Sequence, residues 1–136
     1  MKQNLTILLT GASGYLGSAW LEHPSKNVSK VVALMRGNSK DRLQRIKMPF
    51  GCVVEAWEGT IPSIDPRVLL FDVDIVLHFA AQTPDQTNDD VMKVNTKWTR
   101  RLGLACAQRG IKLLFPSTGS VYGGHGGELL TEDTSQ

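Results

Sequence analysis

Thr10-Gly11-Ala12-Ser13-Gly14-Tyr15-Leu16-Gly17 decides the reading of this chain. Its glycines stand three apart, at 11, 14 and 17. Upstream, Leu5–Thr10 (LTILLT) is a continuous apolar, β-prone run, which suits a strand covered on both faces. Downstream, Tyr15–Glu22 reads as a helix stopped near Pro24. A glycine motif becomes meaningful in this strand-to-helix setting. Gly11 permits the tight turn, Gly14 lets backbone approach a pyrophosphate with no Cβ in the way, and Gly17 lets the helix pack close to the sheet. The first-turn amides add unpaired donors and a partial positive charge, both suited to phosphate. Gly11, Ala12, Ser13, Gly14, Tyr15, Leu16 and Gly17 are therefore candidate cofactor-binding residues. The alternative is a structural turn with no ligand, for which so many glycines are a costly choice in conformational entropy.

Outward from the loop, strand and helix signals alternate. Val28–Met35 reads as a second strand, residues 39–46 as a short helix or a loop, and residues 52–57 as a third strand. Residues 66–71 form a helical turn, and residues 74–79 (DIVLHF) a buried strand. Residues 88–109 are helical, with Val91, Val94, Trp98, Leu102 and Ala105 spaced by three or four and Gly110 as the stop. Residues 111–115 make a fifth strand, followed by a Gly-rich stretch in which Gly123-Gly124 and Gly126-Gly127 flank His125. This alternation predicts an α/β fold with a doubly wound, mostly parallel sheet of the Rossmann type. Right-handed crossovers give strand order 3-2-1-4-5. The polar residues 131–136 add no final element, so the domain is expected to be truncated, an NAD(P)-binding domain over residues 1–136 incomplete at its C-terminal end.

Composition narrows the class. The chain has 136 residues, the size of one domain, with 41% hydrophobic and 21% charged residues. A net charge of +2 without a basic cluster argues against nucleic acid. No run approaches the roughly 18 apolar residues of a membrane span, and the N-terminus lacks the pattern of a signal peptide. Cys52 and Cys106 form no C-x-x-C unit, which argues against a metal or redox pair and for two buried thiols in a cytoplasmic protein.

The choice of dinucleotide falls on the end of the second strand. In such folds an acidic residue about 20 positions beyond the glycines holds a ribose 2′-OH, and an arginine suits a 2′-phosphate. Arg36 lies 19 residues after Gly17, and no Asp or Glu occurs from Val31 through Lys40. A guanidinium pairs with a phosphate bidentately. NADP is therefore the preferred cofactor and NAD the alternative, in which Arg36 is a solvated loop residue or stacks on adenine.

These residues resemble the extended short-chain dehydrogenase/reductases, the family of NAD-dependent nucleotide-sugar epimerases, dehydratases and related reductases. The resemblance runs from about Leu5 to Gly123 and rests on four ordered pieces. They are the TGASGYLG loop, the strand DIVLHFAA at residues 74–81, Asn95 in VNT, and STGSVYG at residues 117–123. The resemblance implies that Ala80 and Ala81 lie beside the cofactor and that Asn95 ties the fourth strand to the following helix at the cofactor site. It also implies that Thr118 is the catalytic Ser/Thr, with Ser117 or Ser120 as stand-ins; a local turn bond is the plainer role for Thr118. His78 reads as a satisfied structural histidine.

Departures from the family pattern bear on function. The family's acid/base pair is Tyr-x-x-x-Lys, in which the lysine lowers the phenol's pKa. Here Tyr15 is followed four residues later by Ala19 and Tyr122 by Gly126. Gly59-Thr60 stands where many relatives have Gly-Asp near the adenine, and Trp98 replaces a usual small residue. The expectation is the dinucleotide-binding part of an oxidoreductase, inactive alone, its substrate domain absent. Its partners are a dinucleotide and, in the parent, a sugar-nucleotide or a small alcohol or ketone. A non-catalytic NADP(H)-sensing module is the alternative, and an enzyme completed by a partner chain a third. Uncovered strand edges and helix faces would favour self-association.

Overall fold

The computed structural model describes residues 4–36, 51–82, 88–123, 131 and 133. Expectations for residues 39–46 and for His125 fall outside them. The first unit is β1 (Leu5–Thr10), α1 (Tyr15–Glu22) and β2 (Val28–Met35), with the bounds expected from the glycine loop. β3 (Val53–Glu58) lies one residue later than expected. α2 (Pro66–Leu69) is a single turn capped by Asp65, whose carboxylate accepts from the Arg67 amide at 3.0 Å. β4 (Ile75–His78) and β5 (Lys112–Leu114) are shorter than the apolar runs that announced them.

All five strands are parallel, in the order β3-β2-β1-β4-β5. The sheet is therefore doubly wound, as the alternation predicted. Each face has its own core. Leu8, Val32, Leu34 and Val76 pack with Leu69, Trp98, Leu102 and Cys106 on one side. Ile7, Leu9, Val31, Ala33 and Leu77 pack with Ala12 and Leu21 on the other. Period-two alternation along a strand sends neighbouring residues to opposite layers, so a central strand must be apolar throughout. Cys52 and Cys106 are free and buried, and burial raises both thiols above their ordinary range.

The helix over residues 88–109 is not uniform. It begins as α3 (Asn88–Val91), widens into a π-helical stretch (Met92–Trp98) and ends as α4 (Thr99–Arg109). Such widening occurs mostly as a local bulge near functional sites. Here the side chains of Asn95, Trp98 and Thr99 hold it. Asn95 accepts from Gln82 N–H at 2.8 Å and donates to Gln82 C=O at 2.9 Å. Trp98 Nε1 donates to Ile64 C=O at 2.7 Å, so the large ring is 1% exposed and seated in the core. Thr99 Oγ1 lies 2.8 Å from His78 Nε2 and donates to Val94 C=O at 3.2 Å. α4 ends at Gly110, whose φ of 65° is the left-handed value that favours glycine. Among the described residues no helix is long and apolar enough to cross a membrane.

Candidate functional site

Two clefts open at the carboxyl ends of the strands, the edge where open α/β sheets bind ligands. The first is lined by Gly11, Gly14, Leu34, Met35, Arg36, Gly59, Ile61, Phe79, Ala80, Ala81, Gln82 and Val94. The second is lined by His78, Asn95, Thr99, Phe115, Pro116, Ser117 and Thr118, and shares Phe79, Ala80 and Ala81 with the first. The segment that leaves β4, residues 79–81, is the wall between them.

The glycine loop is built by steric necessity. Gly11 has φ +71°, and a Cβ there would stand 2.7 Å from Ala80 N and 2.8 Å from Phe79 C. Its freedom is used twice, for the turn and for the close approach to β4. Gly14 N–H closes the turn on Gly11 C=O at 2.9 Å. A Cβ at Gly14 would have only Gly11 O near it, at 3.2 Å, and the residue is exposed. A Cβ at Gly17 would collide with Gly11 O and Ala12 Cα. Gly17 thus seats the helix on the loop's own backbone, where the motif had suggested close packing on the sheet. Gly14 caps α1 without a side-chain acceptor, so the helix gives the first-turn amides no partner.

The candidate residues divide by position. Gly11, Gly14, Arg36, Ala80 and Ala81 line the first cleft, and Ala80, Ala81, Asn95 and Thr118 the second. Ala12, Ser13, Tyr15, Leu16 and Gly17 line neither. Ala12 is buried in the core and Tyr15 is 88% exposed. Thr118 is exposed just before a short 3₁₀ turn (Gly119–Tyr122), and its carbonyl accepts from Val121 N–H at 3.2 Å. Gly59 lines the first cleft beside Ile61, and its bare Cα leaves room for the Ile64 side chain.

Sequence reasoning missed Thr10, Gln82, Ile61 and Val94. Thr10 is fully buried, and its hydroxyl lies 2.6 Å from His78 Nδ1 and accepts from Ala80 N–H at 3.3 Å. A polar residue ending an otherwise apolar strand was the available signal. His78 is fully buried, and burial pushes its pKa down to about 4, so it is neutral at pH 7. Its rings of contact are Trp98 and Phe115, each with centroids 5.5 Å away.

Comparison with known proteins agrees with this fold. The chain is similar to MoeE5, solved in complex with UDP-glucose and NAD, at 28% identity and a TM-score of 0.73 over 96% of this chain. It is similar to UDP-glucuronic acid 4-epimerase from Bacillus cereus, solved in complex with NAD, at 28% identity and a TM-score of 0.65 over 88% of this chain. It spans 42% of the length of each. A hybrid PKS-NRPS synthetase, tasS, from Hapsidospora irregularis is 28% identical over 86% of this chain, which spans 3% of the synthetase. The model of the NAD dependent epimerase/dehydratase family matches residues 7–136, and this chain belongs to that family.

Proposed function

We propose that the chain binds a nicotinamide dinucleotide in the first cleft, NADP in preference to NAD. In this reading it is the dinucleotide-binding part of a nucleotide-sugar epimerase-, dehydratase- or reductase-type oxidoreductase. The observation that carries it is the bare-backbone loop at Gly11 and Gly14, both lining the first cleft, with Gly11 pressed against Ala80, on a chain of this family. The bound dinucleotide would supply the acceptor or donor of a hydride. The chain's own residues do the rest. First-turn amides of α1 donate to the pyrophosphate. Arg36, exposed at the cleft, pairs with the 2′-phosphate. Ala80 and Ala81 keep the wall low, Asn95 holds Gln82 at its rim, and Thr118 orients a substrate oxygen in the second cleft.

Neither tyrosine has a lysine four residues on, so these 136 residues hold no Tyr-x-x-x-Lys pair. That the chain spans 42% of two solved neighbours supports a substrate domain of the same kind lying elsewhere. Without its acid/base pair, turnover should fall by about 10²- to 10⁴-fold. The same observation favours a second reading, a non-catalytic NADP(H)-binding module. Half-exposed Leu104, Leu114 and Phe115 support self-association, and free buried thiols a cytoplasmic setting.

The test is thermal stabilisation by NADPH and NADH, with wild type beside Arg36→Asp. Wild type should be stabilised more by NADPH, and the variant more by NADH. Greater stabilisation of wild type by NADH would overturn the cofactor assignment.

A further inference from the structure

Between the two clefts, the β1–β4 ladder ends in a chain of side chains. Phe79 N–H donates to Thr10 C=O at 3.2 Å. The next amide, that of Ala80, turns to the Thr10 hydroxyl at 3.3 Å. Thr10 Oγ1 lies 2.6 Å from His78 Nδ1, and His78 Nε2 lies 2.8 Å from Thr99 Oγ1. One arrangement of protons satisfies all of these contacts at once. The hydroxyl of Thr99 gives its proton to Val94 C=O, so it accepts from His78 Nε2–H. A neutral imidazole protonated at Nε2 has a lone pair at Nδ1, which accepts from Thr10. The Thr10 oxygen then accepts from Ala80. Thr10 and His78 are fully buried, so solvent does not replace a lost bond.

We propose that His78, held as the Nε2–H tautomer, is a positioning residue for the cleft: through Thr10 it fixes the Ala80 amide against which the glycine loop rests. The contact distances make that amide the sensitive point. A Cβ at Gly11 would stand 2.7 Å from Ala80 N and 2.9 Å from its Cα, so loop and peptide are in direct apposition. The imidazole is itself held on two sides. Phe115 stacks on it at an interplanar angle of 23°, and Trp98 tilts against it at 43°. Phe115 begins the segment that carries Thr118, and both line the second cleft beside His78. His78 acts through Thr10 and Ala80 and touches no reacting atom. The expected effect on ligand affinity rests on the dinucleotide reading; the tautomer and the restraint on Ala80 do not.

Nitrogen NMR of the full wild-type chain reads the tautomer directly. A protonated Nε2 is expected; protonation at Nδ1, or rapid exchange between the forms, would overturn the proposal. Two substitutions then separate the ends of the chain. His78→Asn keeps an acceptor near the Nδ1 position and so keeps Thr10 engaged. His78→Gln reaches toward Thr99 and leaves the Thr10 proton without its acceptor. Hydrogen exchange at the Ala80 amide should quicken about tenfold in His78→Gln and in Thr10→Val, relative to Val31 in the same sheet, and little in His78→Asn. NADPH affinity should weaken about three- to tenfold in the first two variants alone. Equal exchange at Ala80 in the Asn and Gln variants would contradict the assignment, as would affinity losses that follow melting temperature only. Should wild type bind no NADPH, the dinucleotide reading fails, while the tautomer and exchange results still decide the role of His78.

Discussion

On the β1 side of β4, Leu8, Leu9, Val31 and Ala33 are fully buried, and the glycine loop sits against Ala80 with no room for a methyl group. On the β5 side, Leu114 and Phe115 are about half exposed and Thr118 stands in the open. One strand thus divides a region determined by its own packing from a region that borders solvent. The two proposed tasks fall on opposite sides of this divide. A cradle for a phosphate-bearing ligand is set by backbone geometry and buried side chains before any ligand arrives. The hydroxyl assigned to the substrate sits on an edge that packing does not enclose.

The comparison breaks first in the core that supports it. Trp98→Ala should cost about 4 kcal/mol in urea denaturation, since it empties a fully enclosed ring site and leaves Ile64 C=O without its donor. A loss under about 1 kcal/mol would mean that the π-helical stretch has another anchor. Gly11→Ala comes next. A side chain at φ +71° pressed into Ala80 should cost about 3 kcal/mol and abolish NADPH binding. Retained binding would show that the loop can move off β4.

Acidification sharpens the contrast further. Burial holds the folded-state pKa of His78 near 4, below its ordinary 6.5. The unfolded chain therefore takes up the proton first as pH falls, and stability drops between those values. From pH 7 to pH 4.5 the loss from this group should be about 2 kcal/mol, and His78→Asn should remove it. A pH profile unchanged by that substitution would contradict the buried neutral imidazole. The smallest effect belongs to the open side. Thr118→Ala should change stability by less than about 0.5 kcal/mol and leave NADPH affinity as it was. A larger loss in denaturation would show that Thr118 serves packing.

Legibility in the sequence follows the same division. β1, α1 and β2 were readable to the residue because glycines and Pro24 punctuate them and their apolar runs are buried in the two cores. The edge strands were less so. Half-exposed Val54, Glu55 and Ala56 in β3 alternate weakly, and β5 keeps three residues of its apolar run. The spacing of Val91, Val94, Trp98 and Leu102 announced a helix but not its widening. That depends on Gln82, Ile64 and His78, which no local pattern connects to it. For the site, Gly11, Arg36, Ala80 and Ala81 stood out because each follows a strand's carboxyl end, and Gly14 because it opens α1. The partnership of Thr10 with His78 did not, since 68 residues separate them and only the parallel pairing of β1 with β4 makes them neighbours.

In the proposed function, Gly11, Gly14 and the mouth of α1 receive a dinucleotide's diphosphate. Calorimetric titration of the chain with NADPH and with NADH measures this most directly. Saturable heat is expected at one ligand per chain, stronger with NADPH and lost in Gly11→Ala. Absence of heat with both coenzymes would contradict it.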